Sequence, residues 1–202
     1  MTIIDDATVI IGFYPKKLIP ALQLDVQVDL SGKTSWLAEK YDTMLGATLR
    51  AIRQLTDEQL QQHLPWRERW TLRDLMMHVL SFPELASLSH QHGSMSREDM
   101  QASNTRLQDV RTSEALAAYG EGVRQQIIAF LQSNNTAAFD RVVPAHYGGE
   151  VTVLELLTII LSHSTHHLKQ AYWFIAHELG IPVVNPATDE DLEGIATPAA
   201  LF

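Results

Sequence analysis

The stretch VTVLELLTIILSHSTHHLKQAYWFIAHELG, residues 151–180, decides the fold, because its apolar residues recur every three or four positions. Helical spacing places one set of residues on the same face: Val153, Leu156, Ile160, His163, His167, Gln170 and Phe174. Thr152 is placed to cap the helix with Glu155 three residues later, and Gly180 before Pro182 is typical of a helix end. The stretch therefore predicts a long helix whose buried face carries two histidines.

Three further helices are predicted from the same periodicity. They cover about residues 35–55, 72–89 and 112–133. Thr71 is placed to cap the middle helix, and Thr56 begins a capping-box pattern ahead of one extra turn. The polar connection over residues 90–111 is predicted to hold at most a short turn of helix, and its length suits a crossover. Together these segments predict an all-α four-helix bundle with a long crossover connection.

The two ends of the chain are predicted to lie outside the bundle. Residues 1–33 form a short extension that does not read as helix, and the alternation Leu24, Val26, Val28, Leu30 within it suggests a short strand. Residues 181–202 form an acidic tail with Pro and Ala, typical of a segment that wraps the surface or frays, and little chemistry is expected there. The predicted domain organisation is thus an extension over 1–33, a bundle over 34–180 and a tail over 181–202.

Composition excludes several classes of function. The 202 residues carry 15 Lys and Arg against 24 Asp and Glu, a net charge of −9 that is unsuited to binding nucleic acid. The chain has no cysteine, so disulfides and thiolate ligands are excluded and any metal must be held by His, Asp or Glu. No apolar run suits a membrane span and no export signal is recognised, so we expect a soluble, cytoplasmic protein without a membrane partner.

A third histidine is predicted to face the core. Residues His78 and Phe82 share the inward face of the helix over 72–89, which makes His78 a polar interruption of an apolar stripe. Positions i and i+4 lie one turn apart, so the imidazoles of His163 and His167 can reach one ion. Three buried imidazoles without partners would each cost about 1–3 kcal/mol, whereas a shared divalent ion satisfies one nitrogen of each. We therefore predict a metal site formed by His78, His163 and His167.

Other readings of these residues stay open at this point. A single inward histidine such as His78 is also compatible with an ordinary core residue bonded to a hydroxyl or carbonyl group. His166 points to the flank of its helix, and His146 in the PAHYGG loop is a candidate for the mouth of the site. The remaining histidines, His63, His90, His92 and His177, are read as exposed or locally bonded, and the tryptophans receive no functional role.

Two segments carry a resemblance to a known family. WTLRDLMMHVL at 70–80 and GGEVTVLELLTIILSHSTHHLKQ at 148–170 resemble the DinB-like superfamily of the YfiT type, and LTDEQL at 55–60 also fits. The resemblance covers about residues 35–180. It implies a four-helix bundle with a long crossover and a metal triad of His78, His163 and His167, with nickel or zinc as the usual ion. It also implies thiol-dependent transferase or isomerase activity with mycothiol, bacillithiol or glutathione, and no DNA-binding role.

Three functions follow as hypotheses. The first is a metal-dependent transferase that uses a low-molecular-weight thiol, in which Gln170 or His166 could orient a ligand. The second is a metal-dependent hydrolase with a metal-activated water, for which spacing nominates no general base, since Glu155 and Asp74 both fall at helix starts. The third is a non-enzymatic bundle with a structural metal or a protein-binding role. No catalytic residue is assigned beyond the metal ligands, and a small-molecule substrate or thiol and a homodimer are the expected partners.

Overall fold

The structure is a computed structural model, and it describes residues 2–4, 8–10, 21–23 and 32–202. The chain divides into two compact units, Met1–Lys33 and Thr34–Phe202. In the first unit, strand β1 (Thr2–Ile4) pairs antiparallel with strand β2 (Thr8–Ile10). The strand suggested by the alternation over 24–30 lies outside the described residues.

The rest of the chain is mainly helical, as the all-α prediction requires. The elements, in chain order, are α1 (Lys33–Arg53), α2 (Asp57–Leu60), β3 (His63–Leu64), β4 (Arg67–Thr71), α3 (Leu72–His92), α4 (Arg97–Arg106), α5 (Ser113–Gln132), α6 (Thr136–Phe139), β5 (Val142–Ala145), β6 (Gly149–Thr152) and α7 (Val153–His177). The four long helices α1, α3, α5 and α7 are the four predicted from periodicity. None of the helices among the described residues is long and apolar enough to cross a membrane.

Helix α3 lies at the centre of the packing, with α7 and α5 as its most extensive helical neighbours. Helix α1 is joined to α7 by the fully buried Tyr41, whose hydroxyl donates to the carbonyl of Leu157 at 2.6 Å. Gly120 of α5 marks a close approach, because a Cβ added there would lie 2.7 Å from a methyl of Leu49 in α1 and 2.9 Å from one of Leu80 in α3. The large apolar residues between these helices form the core.

Two antiparallel hairpins lead directly into α3 and α7. The β3–β4 hairpin ends at Thr71 and the β5–β6 hairpin ends at Thr152, and both threonines cap the helix that follows with complete capping boxes. Asp74 completes the box of Thr71, and Glu155 completes the box of Thr152. The second of these pairs was predicted from the sequence. The hairpin over 142–152 corrects the prediction of a loop there. Gly148, with φ of 101°, ends the turn between two four-residue strands, and Gly149, with φ of 74°, begins the second strand.

The crossover between α3 and α5 holds more helix than predicted. Helix α4 has ten residues and begins with a capping box in which the amide of Ser96 donates to Asp99 Oδ2 at 2.7 Å. Its residues are mostly polar and exposed, so no apolar face is present for periodicity to detect. Arg73, at the start of α3, contacts the end of the crossover. Its Nε donates to the carbonyl of Val110 at 2.8 Å.

The C-terminal segment, residues 181–202, runs over the surface of the bundle. Lys40 of α1 donates to the carbonyl of Asp191 at 2.8 Å, and the amide of Val184 donates to Gln54 Oε1 at 2.7 Å. Leu192 is only 5% exposed, so the segment also contributes an apolar side chain to the fold. These contacts attach it along much of its length.

Candidate metal centre

The three predicted histidines meet between the two central helices. His78 comes from α3, and His163 and His167 come from successive turns of α7. One nitrogen from each ring belongs to a group whose members all lie within 4.8 Å of one another. The Nε2 atoms of His78 and His163 are 2.9 Å apart, and all three residues are partly buried. The extensive packing of α3 on α7 therefore brings the residues together as the two helical patterns predicted.

Burial keeps these imidazoles neutral at physiological pH. Burial, and then the neighbouring His167, lowers the pKa of His163 to about 3. The pKa of His167 falls to about 4 for the same main reason, against an opposing hydrogen bond from Gln170. Burial also lowers the pKa of His78 well below its ordinary value. Each ring therefore keeps one nitrogen lone pair, which is the form that binds a metal ion.

Gln170 determines which nitrogen of His167 carries the proton. The amide nitrogen of Gln170 donates to the backbone carbonyl of Leu201 at 2.6 Å, and because that carbonyl can only accept, the orientation of the amide is fixed. Gln170 Oε1 then lies 2.7 Å from Nδ1 of His167 and must accept its proton. The lone pair of His167 is consequently on Nε2, so this contact prepares the ring as a ligand.

The donor set fits a divalent ion. Three neutral imidazoles from a rigid helix pair are ligands that zinc and similar ions accept, with metal–nitrogen distances of about 2.0–2.1 Å for zinc. A close pair of ring nitrogens such as that of His78 and His163 can share a single proton, or both lone pairs can turn to one ion. Among the described residues, the group contains no carboxylate. The three histidines could therefore hold one ion without neutralising its charge.

Aromatic rings form one wall of the site. The rings of Phe82 and Trp70 lie 3.8 Å and 5.0 Å from the ring of His78, and the ring of Tyr147 lies 4.9 Å from that of His163. The sequence indicated no functional role for Trp70 or Tyr147. It did indicate the PAHYGG loop, which carries Tyr147, through His146. His146 itself is exposed and contacts Tyr147 edge to face at 5.0 Å. The loop thus reaches the site through Tyr147.

The C-terminal segment, in which little chemistry was expected, contacts residues next to the site. Leu201 orients Gln170, and the ring of Phe202 lies 4.3 Å from that of Trp66 and 5.1 Å from that of Trp173. Ser162, one residue before His163, donates to the carbonyl of Ala196. These contacts could not be predicted, because the acidic composition of the segment indicates exposure to solvent. Hydrogen bonds to backbone carbonyls also leave no pattern in the sequence.

The other candidate residues are engaged elsewhere. Asp74 accepts from the amide of Thr71 at 3.0 Å and Glu155 from the amide of Thr152 at 2.8 Å, so both carboxylates serve helix caps. His166 lies on the flank as predicted, with its Nε2 3.4 Å from Gln170 Nε2, and it is outside the ligand group. The remaining histidines are exposed or bonded to nearby carbonyls, as predicted: His63, His90, His92 and His177.

Comparison with known proteins identifies one family. The family model described as the DinB superfamily matches residues 40–171, a span that contains all three histidines and more than half of the chain. No curated protein and no solved structure matches the chain.

Proposed function

Because the chain belongs to the DinB superfamily, which is typically metal-binding, we propose that it is a metal-dependent transferase that uses a low-molecular-weight thiol. The ligands in this proposal are His78, His163 and His167, and the ion is nickel or zinc. The observation that carries the proposal is a ligand group of three neutral imidazoles without a carboxylate among the described residues. A site of this kind favours an anionic sulfur ligand over a neutral one.

A divalent ion bound by three neutral ligands retains its positive charge and open positions, and it lowers the pKa of a thiol that reaches it. Burial keeps the three histidines neutral, so each retains a lone pair on one ring nitrogen with which to bind the ion. Gln170 keeps His167 in the required tautomer. In the transfer, the sulfur forms a bond to an electrophilic carbon, the leaving group departs with its bonding electrons, and the thiol proton passes to solvent.

The aromatic wall favours transfer over hydrolysis. Phe82, Trp70 and Tyr147 present rings to the histidines, which limits the water around the reacting sulfur. Metal-assisted hydrolysis needs a general base. Asp74 and Glu155 are committed to the caps of α3 and α7, and Glu84, six residues after His78, is bonded to Arg106 and Tyr119. A structural role for the ion would instead make the fold depend on the metal.

The proposal is tested by mass spectrometry on the metal-loaded protein. The zinc and nickel forms are incubated with mycothiol, bacillithiol or glutathione and a panel of small electrophiles, with and without a chelator. We expect a thiol adduct that is formed by the loaded protein and lost after chelation or in His163→Ala. His177→Ala, at an exposed histidine of the same helix, is the matched control and should retain activity. A product formed at the same rate without thiol would indicate hydrolysis instead.

The homodimer and the cytoplasmic location expected from sequence stay proposals. Sedimentation of the purified protein tests the first, and fractionation of cells tests the second.

A further inference from the structure

Arg67 lies beside the candidate metal centre, and no carboxylate of the described residues pairs with its charge. Its guanidinium carbon lies 3.9 Å from the centre of the Trp70 ring, in a cation–π contact on strand β4. The same Trp70 ring lies 5.0 Å from the ring of His78. The side chain of Arg67 is exposed, and it makes no hydrogen bond or ion pair to any residue that the structure describes. One aromatic ring therefore places the guanidinium next to a candidate metal ligand.

Several arginines of the bundle lie against a carboxylate, whereas the guanidinium of Arg67 lies over an aromatic ring. Arg106 contacts the carboxylate of Glu84, and Arg124 lies 2.7 Å from that of Asp42. Arg73 is held by Asp74 and by carbonyls of the crossover. No residue in the described part of the chain accepts from the side-chain N–H groups of Arg67, and stacking on Trp70 reduces the conformational entropy that ligand binding would otherwise cost.

The charge of Arg67 lies near the histidine group. The Trp70 ring that it contacts separates it from the ring of His78 by one side chain. The ligand group contains no carboxylate, so nothing within it offsets this charge or that of an ion bound there. Charges more distant than roughly 8 Å are largely screened at physiological ionic strength, and the negative charge spread over the rest of the surface is therefore a weak influence here.

We propose that Arg67 is a specificity-determining residue that binds an anionic group, a carboxylate in the first instance, on the substrate that reacts at the histidine site. This inference rests on the proposed function and adds a substrate class to it. Arg67 would form paired charge-assisted hydrogen bonds with the carboxylate while the thiol or electrophilic end of the same molecule lies at the histidines. A lysine in its place would keep the charge and lose the paired geometry.

The test measures binding, so it is independent of turnover. Cobalt(II)-loaded protein is titrated with 3-mercaptopropionate, which carries a carboxylate, and with 2-mercaptoethanol, which does not, and dissociation constants are read from the cobalt absorption. We expect the carboxylate thiol to bind at least about tenfold more tightly, as one charge-assisted contact allows. Arg67→Gln should remove most of this preference, measured as the ratio of the two dissociation constants. Arg67→Lys should keep part of the preference.

Arg69→Gln is the matched control, since Arg69 is exposed on the same strand and carries the same charge. It should bind both thiols as the wild type does. A second titration adds propionate to protein saturated with 2-mercaptoethanol. Propionate represents the anionic group of a substrate in which the electrophile, and not the thiol, carries the carboxylate. Binding of propionate that requires Arg67 would support the inference by that route.

The inference is overturned if Arg67→Gln leaves both the thiol preference and propionate binding unchanged, or alters them no more than Arg69→Gln. Its failure is distinguishable from failure of the proposed function. If the neutral thiol still changes the cobalt spectrum, thiol binding stands and only the role of Arg67 is lost. If no thiol changes the spectrum of metal-loaded protein, the thiol function itself is wrong.

Discussion

The side-chain oxygen of Gln170 lies 2.7 Å from Nδ1 of His167, and this contact places the lone pair of the ring on Nε2. Partners of this kind typically change metal affinity by about 10–100-fold when they are removed. We expect Gln170→Met to weaken zinc binding by a factor in that range, with helix content unchanged. Competition with a chromophoric chelator measures the affinity. Gln125→Met, on the exposed face of α5, is the control and should bind as the wild type does. Unchanged affinity in Gln170→Met would show that His167 needs no orienting partner.

The C-terminal segment should contribute to metal binding through the carbonyl of Leu201. Without it, the amide of Gln170 is free to reverse and donate to Nδ1 of His167, which would move the ring proton to Nε2. We expect removal of residues 196–202 to weaken zinc binding by at least about tenfold while the bundle stays folded. Circular dichroism checks the fold.

The control for this truncation is Phe202→Ala, which deletes the ring that contacts Trp66 and leaves the carbonyl of Leu201 in place. It should retain most of the zinc affinity. Wild-type affinity in the truncated protein would contradict the role assigned to the segment.

The metal-free protein should lose stability as the pH falls below about 6.5. The pKa of His163 is about 3 and that of His167 about 4 in the fold, below the ordinary 6.5, so between these values the unfolded chain binds more protons. The stability that the neutral rings contribute is therefore complete above pH 6.5 and declines as the pH falls towards 4. Each histidine contributes a slope of at most about 1.4 kcal/mol per pH unit.

Urea unfolding of the chelated protein at several pH values in this window measures the slope. His163→Gln should reduce it, and His177→Gln, at an exposed position, should not. A free energy of unfolding that stays constant between about pH 7 and pH 5 would show that the rings are protonated as readily in the fold as outside it.

The threonine caps should matter for stability because each begins a helix that carries metal ligands. Thr152 accepts from the amide of Glu155 at 3.3 Å, and loss of such a cap costs about 1 kcal/mol. We expect Thr152→Ala to lower the melting temperature by roughly 2–4 °C, as a domain of this size would show. Thr152→Ser keeps the hydroxyl and should stay close to the wild type. Equal melting temperatures for the alanine and serine variants would mean that the hydroxyl contributes nothing.

Much of this fold could be predicted from sequence because its main helices are amphipathic and begin with recognisable caps. The period of 3.6 residues identified the four long helices, and Thr152 with Glu155 marked the start of α7 correctly. Helix α4 and the β5–β6 hairpin were missed for the opposite reason. Helix α4 is polar and exposed, and strands of four residues are too short to show a reliable period.

Some residues of the candidate site could likewise be predicted from the sequence, and others could not. His78, His163 and His167 interrupt apolar stripes, and such a polar residue in a buried position is visible in the sequence. Tyr147 and Arg67 come from hairpins, whose position against the helices depends on tertiary packing that no local pattern encodes. The contact of Leu201 with Gln170 was also invisible, since it uses a backbone carbonyl distant in sequence.

The most direct test of the account is the metal content of the purified protein measured beside His163→Ala, with His177→Ala as the control. Ligand nitrogens within 4.8 Å of one another predict one divalent ion per chain in the wild type and the control, and a large loss in His163→Ala. A wild-type protein that takes up no stoichiometric nickel or zinc, or a His163→Ala protein that binds the ion as fully as the wild type, would contradict the account.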